Sequence, residues 1–256
     1  MLILRLYNLF LAMPTLQKFK STLLTYTDKK KVVDLTRFFQ VFPGGYGEGD
    51  TFLGVKVPDQ RAVAKQFYKE LNLDEITLLL NENIHEHRLT AVFMLVLKYE
   101  KSKTEEDKQA VVDCYLENIS GVNNWDIIDS SCHKILGPWL IDIDKRLLYE
   151  FAASGDLWLQ RISVITTMHF ISKRKYDDGL RLAEILLHHP HDLIHKAVGW
   201  MLREIGNRDY DVEYNFLLKH YRQMPRTMLR YAIEKFDEDV RQGFLKGTID
   251  RISYPS

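Results

Sequence analysis

Cysteine is scarce in this chain: Cys114 and Cys132 are the two in 256 residues. That excludes a disulfide framework and makes a reducing, cytoplasmic setting the expectation, with both thiols buried. Long apolar runs are missing as well, and nothing approaches the roughly 20 residues that a membrane span requires. Neither sign of charge is in excess, because Lys plus Arg and Asp plus Glu are both 35. Overall charge thus gives no support to polyanion binding, which would need charge segregated onto one surface. Metal-ligand spacings are absent: there is no H-E-x-x-H and no Cys-x-x-Cys. Both His85-Glu86-His87 and the group His188, His189, His191 and His195 fall short of a ligand set. No nucleophile elbow or Ser/His/Asp arrangement stands out.

Glycine is concentrated rather than abundant. Five of the 13 glycines lie between Phe42 and Val57. The run GGYGEGD is neither a Walker loop nor a dinucleotide fingerprint, and Glu48 and Asp50 would repel phosphate. It reads as a conformational loop between two helices. The first thirteen residues, MLILRLYNLFLAM, are apolar but broken by Arg5 and Asn8, with no basic leader ahead of them. They are expected to form an extra packing helix or an upstream-extended start, with Met13 as the alternative initiator.

What is present is helical periodicity. Apolar residues recur at the 3.6 period over 14–27, 30–40, 58–71, 74–82, 85–99, 105–119, 123–136, 144–153, 157–171, 177–188, 191–205, 209–222, 225–236 and 238–246. Short turn signals separate them, among them Gly121, Gly137-Pro138, Ser154-Gly155-Asp156, His189-Pro190 and Met224-Pro225. Sustained period-two alternation is absent. The expected fold is all-α, as one domain over residues 1–256.

The helices also repeat. Arg88, Asp126, Arg161, Lys196 and Arg230 fall at intervals of 38, 35, 35 and 34 residues, each followed by apolar positions. A helix pair every 35 or so residues is the period of an α-solenoid, whose second helices line one surface. That register sets Arg88, Arg161, Lys196 and Arg230 along one strip, which could track phosphates. Alternatively these charges pair with Glu86, Asp126, Asp192, Glu204 and Glu234 on solvated helix faces.

Chemistry concentrates in the middle repeat. Trp125 and Asp129 are four residues apart, so one helix face carries an indole beside a carboxylate, among Ile127, Ile128, Ile135 and Leu136. A carboxylate in apolar surroundings is costly unless paired or used. Trp125 is either core, with Asp129 capping or pairing, or the two frame a cationic substrate: the ring attracts the cation and the acid opposes charge developing in a transition state. Trp158 and Trp200 accompany Arg161 and Lys196 in the later repeats.

The segments YGEGDTFLGVKVP (46–58), NNWDIID (123–129), LWLQRISVI (157–165) and HKAVGWMLREIG (195–206) together resemble the AlkD-like DNA alkylation repair proteins, which are HEAT-like-repeat DNA glycosylases. The resemblance runs from about Phe38 to Lys246 and leaves the first thirteen residues outside; MPRTMLRYAIEKF (224–236) matches the family's basic final repeat only loosely. It implies an α-solenoid of HEAT-like helix pairs with a concave DNA-binding face. It implies excision of cationic N3- and N7-alkylated purines from double-stranded DNA without base extrusion, by a monomer using no metal or organic cofactor. Asp129, Trp125 and Trp200 match the family's catalytic positions, and Arg161 its backbone-contacting arginine. Arg203, Lys196, Arg88 and Arg230 are further candidates for DNA contact. Members of the wider superfamily bind DNA without cleaving a glycosidic bond, so a non-catalytic DNA-binding or protein-binding scaffold is the alternative.

Overall fold

The computed structural model describes residues 14–249. The sequence expectation for residues 1–13 lies outside the described residues. Among the described residues fourteen α-helices follow one another: α1 (Pro14–Leu24), α2 (Lys29–Phe38), α3 (Val57–Phe67), α4 (Leu73–Leu80), α5 (His85–Lys101), α6 (Glu105–Glu117), α7 (Trp125–Leu140), α8 (Arg146–Ala153), α9 (Leu157–Ser172), α10 (Asp177–Ile185), α11 (Asp192–Gly206), α12 (Tyr210–His220), α13 (Arg226–Ala232) and α14 (Glu238–Lys246). No strand occurs among the described residues; a lone bridge joins Thr51 to Ile84. The fold is all-α, and the period read from the sequence holds: Arg88, Asp126, Arg161, Lys196 and Arg230 sit on α5, α7, α9, α11 and α13, every second helix. No helix of the described residues is long and apolar enough to cross a membrane.

Local sequence sets the helix starts. Asn72 and Glu75 form a capping box on α4, and Asp28, Thr104, Asp156 and Asp209 each accept a backbone N–H at the start of α2, α6, α9 and α12. Pro58 occupies the first turn of α3, where no intrahelical N–H is lost. The turn expected at Gly137-Pro138 does not form, and α7 runs on to Leu140. Pro138 stands in the last turn, where its missing N–H forfeits one bond of a ladder that is about to end.

Two compact units divide the chain, residues 1–131 and 132–256. In the first, α5 packs against α3, α4 and α6, and nearly every residue from His85 to Val96 is buried. A helix apolar all round suits such a central place, but the first turn of α5 is His85-Glu86-His87-Arg88. Burying four ionisable groups demands partners for each. Glu86 answers this by receiving the backbone N–H groups of Leu53, Gly54 and Val55 at 2.9, 2.8 and 3.3 Å. The glycine-rich loop joins α2 to α3, and its end at Leu53 to Val55 is pinned to α5. Gly54 is needed there: its φ is +82°, and a Cβ would come within 2.2 Å of the Asp28 carbonyl.

In the second unit, α9 packs on α8, α10 and α11, and α11 on α12 and α13. The helices α9, α11 and α13 form one layer, with α8, α10 and α12 against them. At Gly199 in α11 a Cβ would lie 2.4 Å from the Met228 carbonyl oxygen and 2.6 Å from Tyr231 Cβ, so the bare backbone lets α13 close up. On α12, Glu213 is 1% exposed, and its Oε1 has no hydrogen-bond partner among the described residues. Burial pushes its pKa up to about 9, against the opposing charge of Arg203. Cys114 and Cys132 are both buried.

Two substitutions test this packing. Gly54→Ala should destabilise the fold by about 1–3 kcal/mol, read by denaturant unfolding, because it adds strain and unseats the loop. Glu213 binds its proton more tightly folded than unfolded, so its contribution to stability falls as pH rises from the ordinary carboxylate value near 4.5 through about 9. Glu213→Gln removes that loss, and its melting temperature should gain on the wild type progressively over that window.

Candidate DNA-repair site

The first unit builds its site around the start of α7. Trp125 opens the helix, with its backbone N–H on Asn124 Oδ1 at 2.8 Å, and Asn124 is itself fully buried. The indole is half-buried. It stacks on Phe39 at 5.5 Å between centroids with an interplanar angle of 19°, and meets Phe38 edge-on at 5.9 Å and 73°. Phe38 is 62% exposed, so the aromatic wall continues into solvent. Asp129 follows one helical turn after Trp125, half-buried, as the spacing predicts.

Behind this wall lies a layer of charge. His85 is 2% exposed and sits between two carboxylates, its Nδ1 3.0 Å from Asp50 and its Nε2 2.9 Å from Asp126. Burial by itself lowers the His85 pKa, but Asp126 and Asp50 outweigh it and raise the value to about 9. Asp50 is buried too, which pushes its carboxyl up, yet His85 and Arg88 hold it below the usual carboxylate range. Arg88 donates from Nη2 to Asp50 at 2.6 Å and from Nη1 to the Glu82 carbonyl at 2.8 Å. Asp126 thus serves as a structural ion-pair partner, and its place in the helix's first turn also suits the helix dipole.

This geometry corrects the basic strip in two places. Arg88 is 3% exposed and committed to Asp50, so it is not presented to phosphate. Arg161 is 4% exposed, with Nη1 donating to the Leu193 carbonyl, and it does not lie open either. The other three candidate cations, all in the second unit, are nearer solvent. Lys196 pairs with Asp192 at 2.7 Å, Arg203 pairs with Glu234, and Arg230 is exposed. Trp200 is half-buried on α11, its Nε1 donating to Glu204 at 3.3 Å. The histidines near 190 satisfy backbone groups: His189 Nδ1 accepts the His191 N–H, and His191 Nδ1 accepts the Leu193 N–H. No group of three or more His, Cys, Asp or Glu among the described residues is placed to hold a metal ion.

Sequence reading missed Phe38, Phe39, Asp50 and His85. His85 shows in the sequence only as an incomplete metal set, because its two partners lie 35 and 41 residues away. Phe38 and Phe39 read as ordinary apolar positions at the end of a helix.

The family model described as "DNA alkylation repair enzyme" matches residues 19–236. No curated protein matches the chain. A solved structure titled "Predicted DNA alkylation repair enzyme from Enterococcus faecalis" is similar at a TM-score of 0.64 and 14% identity, covering 83% of this chain and 97% of that one. At that identity the likeness establishes a shared all-α fold. The family match, by contrast, spans most of the chain and takes in both the Trp125–Asp129 turn and Trp200, and on that ground the protein belongs to the DNA alkylation repair enzyme family.

Proposed function

We propose that this protein is a DNA glycosylase that removes cationic N3- and N7-alkylated purines from duplex DNA by hydrolysing the N-glycosidic bond, without extruding the base. The observation that carries this reading is the half-buried Trp125, held against Phe39 and the exposed Phe38, with Asp129 one turn further along the same helix. An alkylated purine carries a positive charge and leaves readily. As the glycosidic bond breaks, its electron pair goes with the purine and neutralises it, while positive charge develops on the sugar. Aromatic faces attract such a cation, and a carboxylate in a partly desolvated position stabilises it more than water does. Asp129 also serves as the base for the attacking water, whose oxygen adds to the anomeric carbon. Trp200, on α11, is the second indole that the family resemblance assigns to this chemistry. A base left in the stack needs no enclosed pocket, unlike the flipped bases of most glycosylases.

Lys196, Arg203 and Arg230 are the proposed phosphate contacts. The ion pair of Lys196 with Asp192 is partly exposed, so little is lost when a phosphate displaces the carboxylate. Arg161, buried and turned to the Leu193 carbonyl, is not among these contacts.

The test is release of N7-methylguanine from methylated duplex. Wild-type protein should release the base, and Asp129→Asn should slow release by about 10²–10³-fold while still binding the duplex. Release by Asp129→Asn at the wild-type rate would remove Asp129 from this role. The neutral net charge and the burial of Arg88 and Arg161 favour a second reading, a scaffold without catalysis. Binding of duplex without release by the wild type would select a DNA-binding scaffold. An absence of binding even at low salt would select a protein-binding one.

A further inference from the structure

His85 occupies a position that the chemistry above does not require of it. The faces of its ring are covered by Phe52, stacked at 4.6 Å and 24°, and by Phe39, tilted at 4.8 Å and 41°. Both nitrogens point at carboxylates, Asp50 at 3.0 Å and Asp126 at 2.9 Å. A neutral imidazole has one donor and one lone pair, so it would set that lone pair against one of the two acids. Only the imidazolium donates to both.

The charged groups around the ring come from three elements. The glycine-rich loop brings Asp50, and α7 brings Asp126. From α5 itself come Arg88, which neutralises Asp50, and Glu86, whose carboxylate is turned to the loop backbone instead. Asn124 adds an Nδ2 contact to Asp50 at 3.5 Å. The ring thus ties the loop, α5 and the first turn of α7 at one point. Phe39 extends the tie, since it touches His85 on one side and stacks on Trp125 on the other.

We propose that His85 is a positioning residue: by bridging Asp50 and Asp126 it fixes the first turn of α7, and with it the Trp125 indole and the Asp129 carboxylate. This rests on the glycosylase reading for its consequence in catalysis, but not for its effect on Trp125. In the folded protein the bridge is lost as pH rises through about 9; the stability it contributes is full below the unfolded histidine value near 6.5 and falls between the two. Above that pH the first turn of α7 loses its tether, and excision falls through misplacement of reacting groups rather than through weaker binding.

The experiment uses the full chain with His85→Gln and Asp126→Asn. Gln can turn its amide NH2 toward Asp126, but its other end is an acceptor that cannot donate to Asp50, and it carries no charge that titrates. Single-turnover release of N7-methylguanine at saturating enzyme, corrected for spontaneous loss, should fall in the wild type with a midpoint near 9. His85→Gln should be slower by about tenfold or more, and flat over that range, with duplex affinity little changed. Asp126→Asn removes one acid and should move the alkaline limb toward the ordinary histidine value, an effect that loss of stability would not produce. Fluorine-19 NMR of protein labelled with 5-fluorotryptophan, its Trp125 line assigned through Trp125→Phe, gives a readout independent of activity. The Trp125 line should titrate near pH 9 in the wild type, and should be displaced and stationary in His85→Gln. If the line behaves so but the wild type releases no base, the positioning role stands and the glycosylase reading falls. If the Trp125 line and the alkaline limb of His85→Gln match the wild type, the proposal is overturned.

Discussion

The structure of the first unit depends on burying a run of ionisable groups without leaving any of them alone. The first turn of α5 takes His85, Glu86, His87 and Arg88 out of water, and each has partners on another segment or turn. Glu86 organises the loop from Leu53 to Val55, Arg88 neutralises Asp50, and His87 meets Glu82, which also binds Lys20. Removing one member of such a set leaves a charge unmatched in a medium of low polarity, where that costs more than the pair contributed. Gly54 serves this arrangement, its positive φ letting three successive backbone N–H groups converge on the Glu86 carboxylate.

That layer of charge explains why the aromatic wall at Trp125 is well defined although Phe38 is exposed. An indole at a helix start would ordinarily have several rotamers. Here Phe39 covers one face, and Phe39 is itself pressed against His85 and Phe52. The exposed edge is thereby stiffened from behind. The proposed contact with the sugar uses this exposed edge, which the core behind it holds in place.

Much of this was legible in the sequence, for identifiable reasons. Helix positions and the 35-residue period were readable because both are local patterns of apolar spacing, and Arg88, Asp126, Arg161, Lys196 and Arg230 do fall on alternate helices. Trp125 and Asp129 were readable as a face because their relation is a single turn of one helix. Burial of Arg88 and Arg161 was not, since a register says which helix a residue occupies and not how deep it lies. The partnership of His85 with Asp50 and Asp126 was illegible because it is made by three segments distant in sequence. Pro138 misled in the other direction: a strong breaker by itself, it is tolerated where the helix is about to finish.

Gly199 has a consequence of a different kind. The backbone of α11 approaches α13 through the space that a side chain would fill, one residue before Trp200 and within the same pair of helices that carries Lys196 and Arg230. The pitch of the second unit at this joint is therefore set by a missing atom. A methyl group there would push the helices apart and shift the separation of Trp200 from Arg230, so mutational drift at a residue with no side chain of its own would retune the spacing of its neighbours.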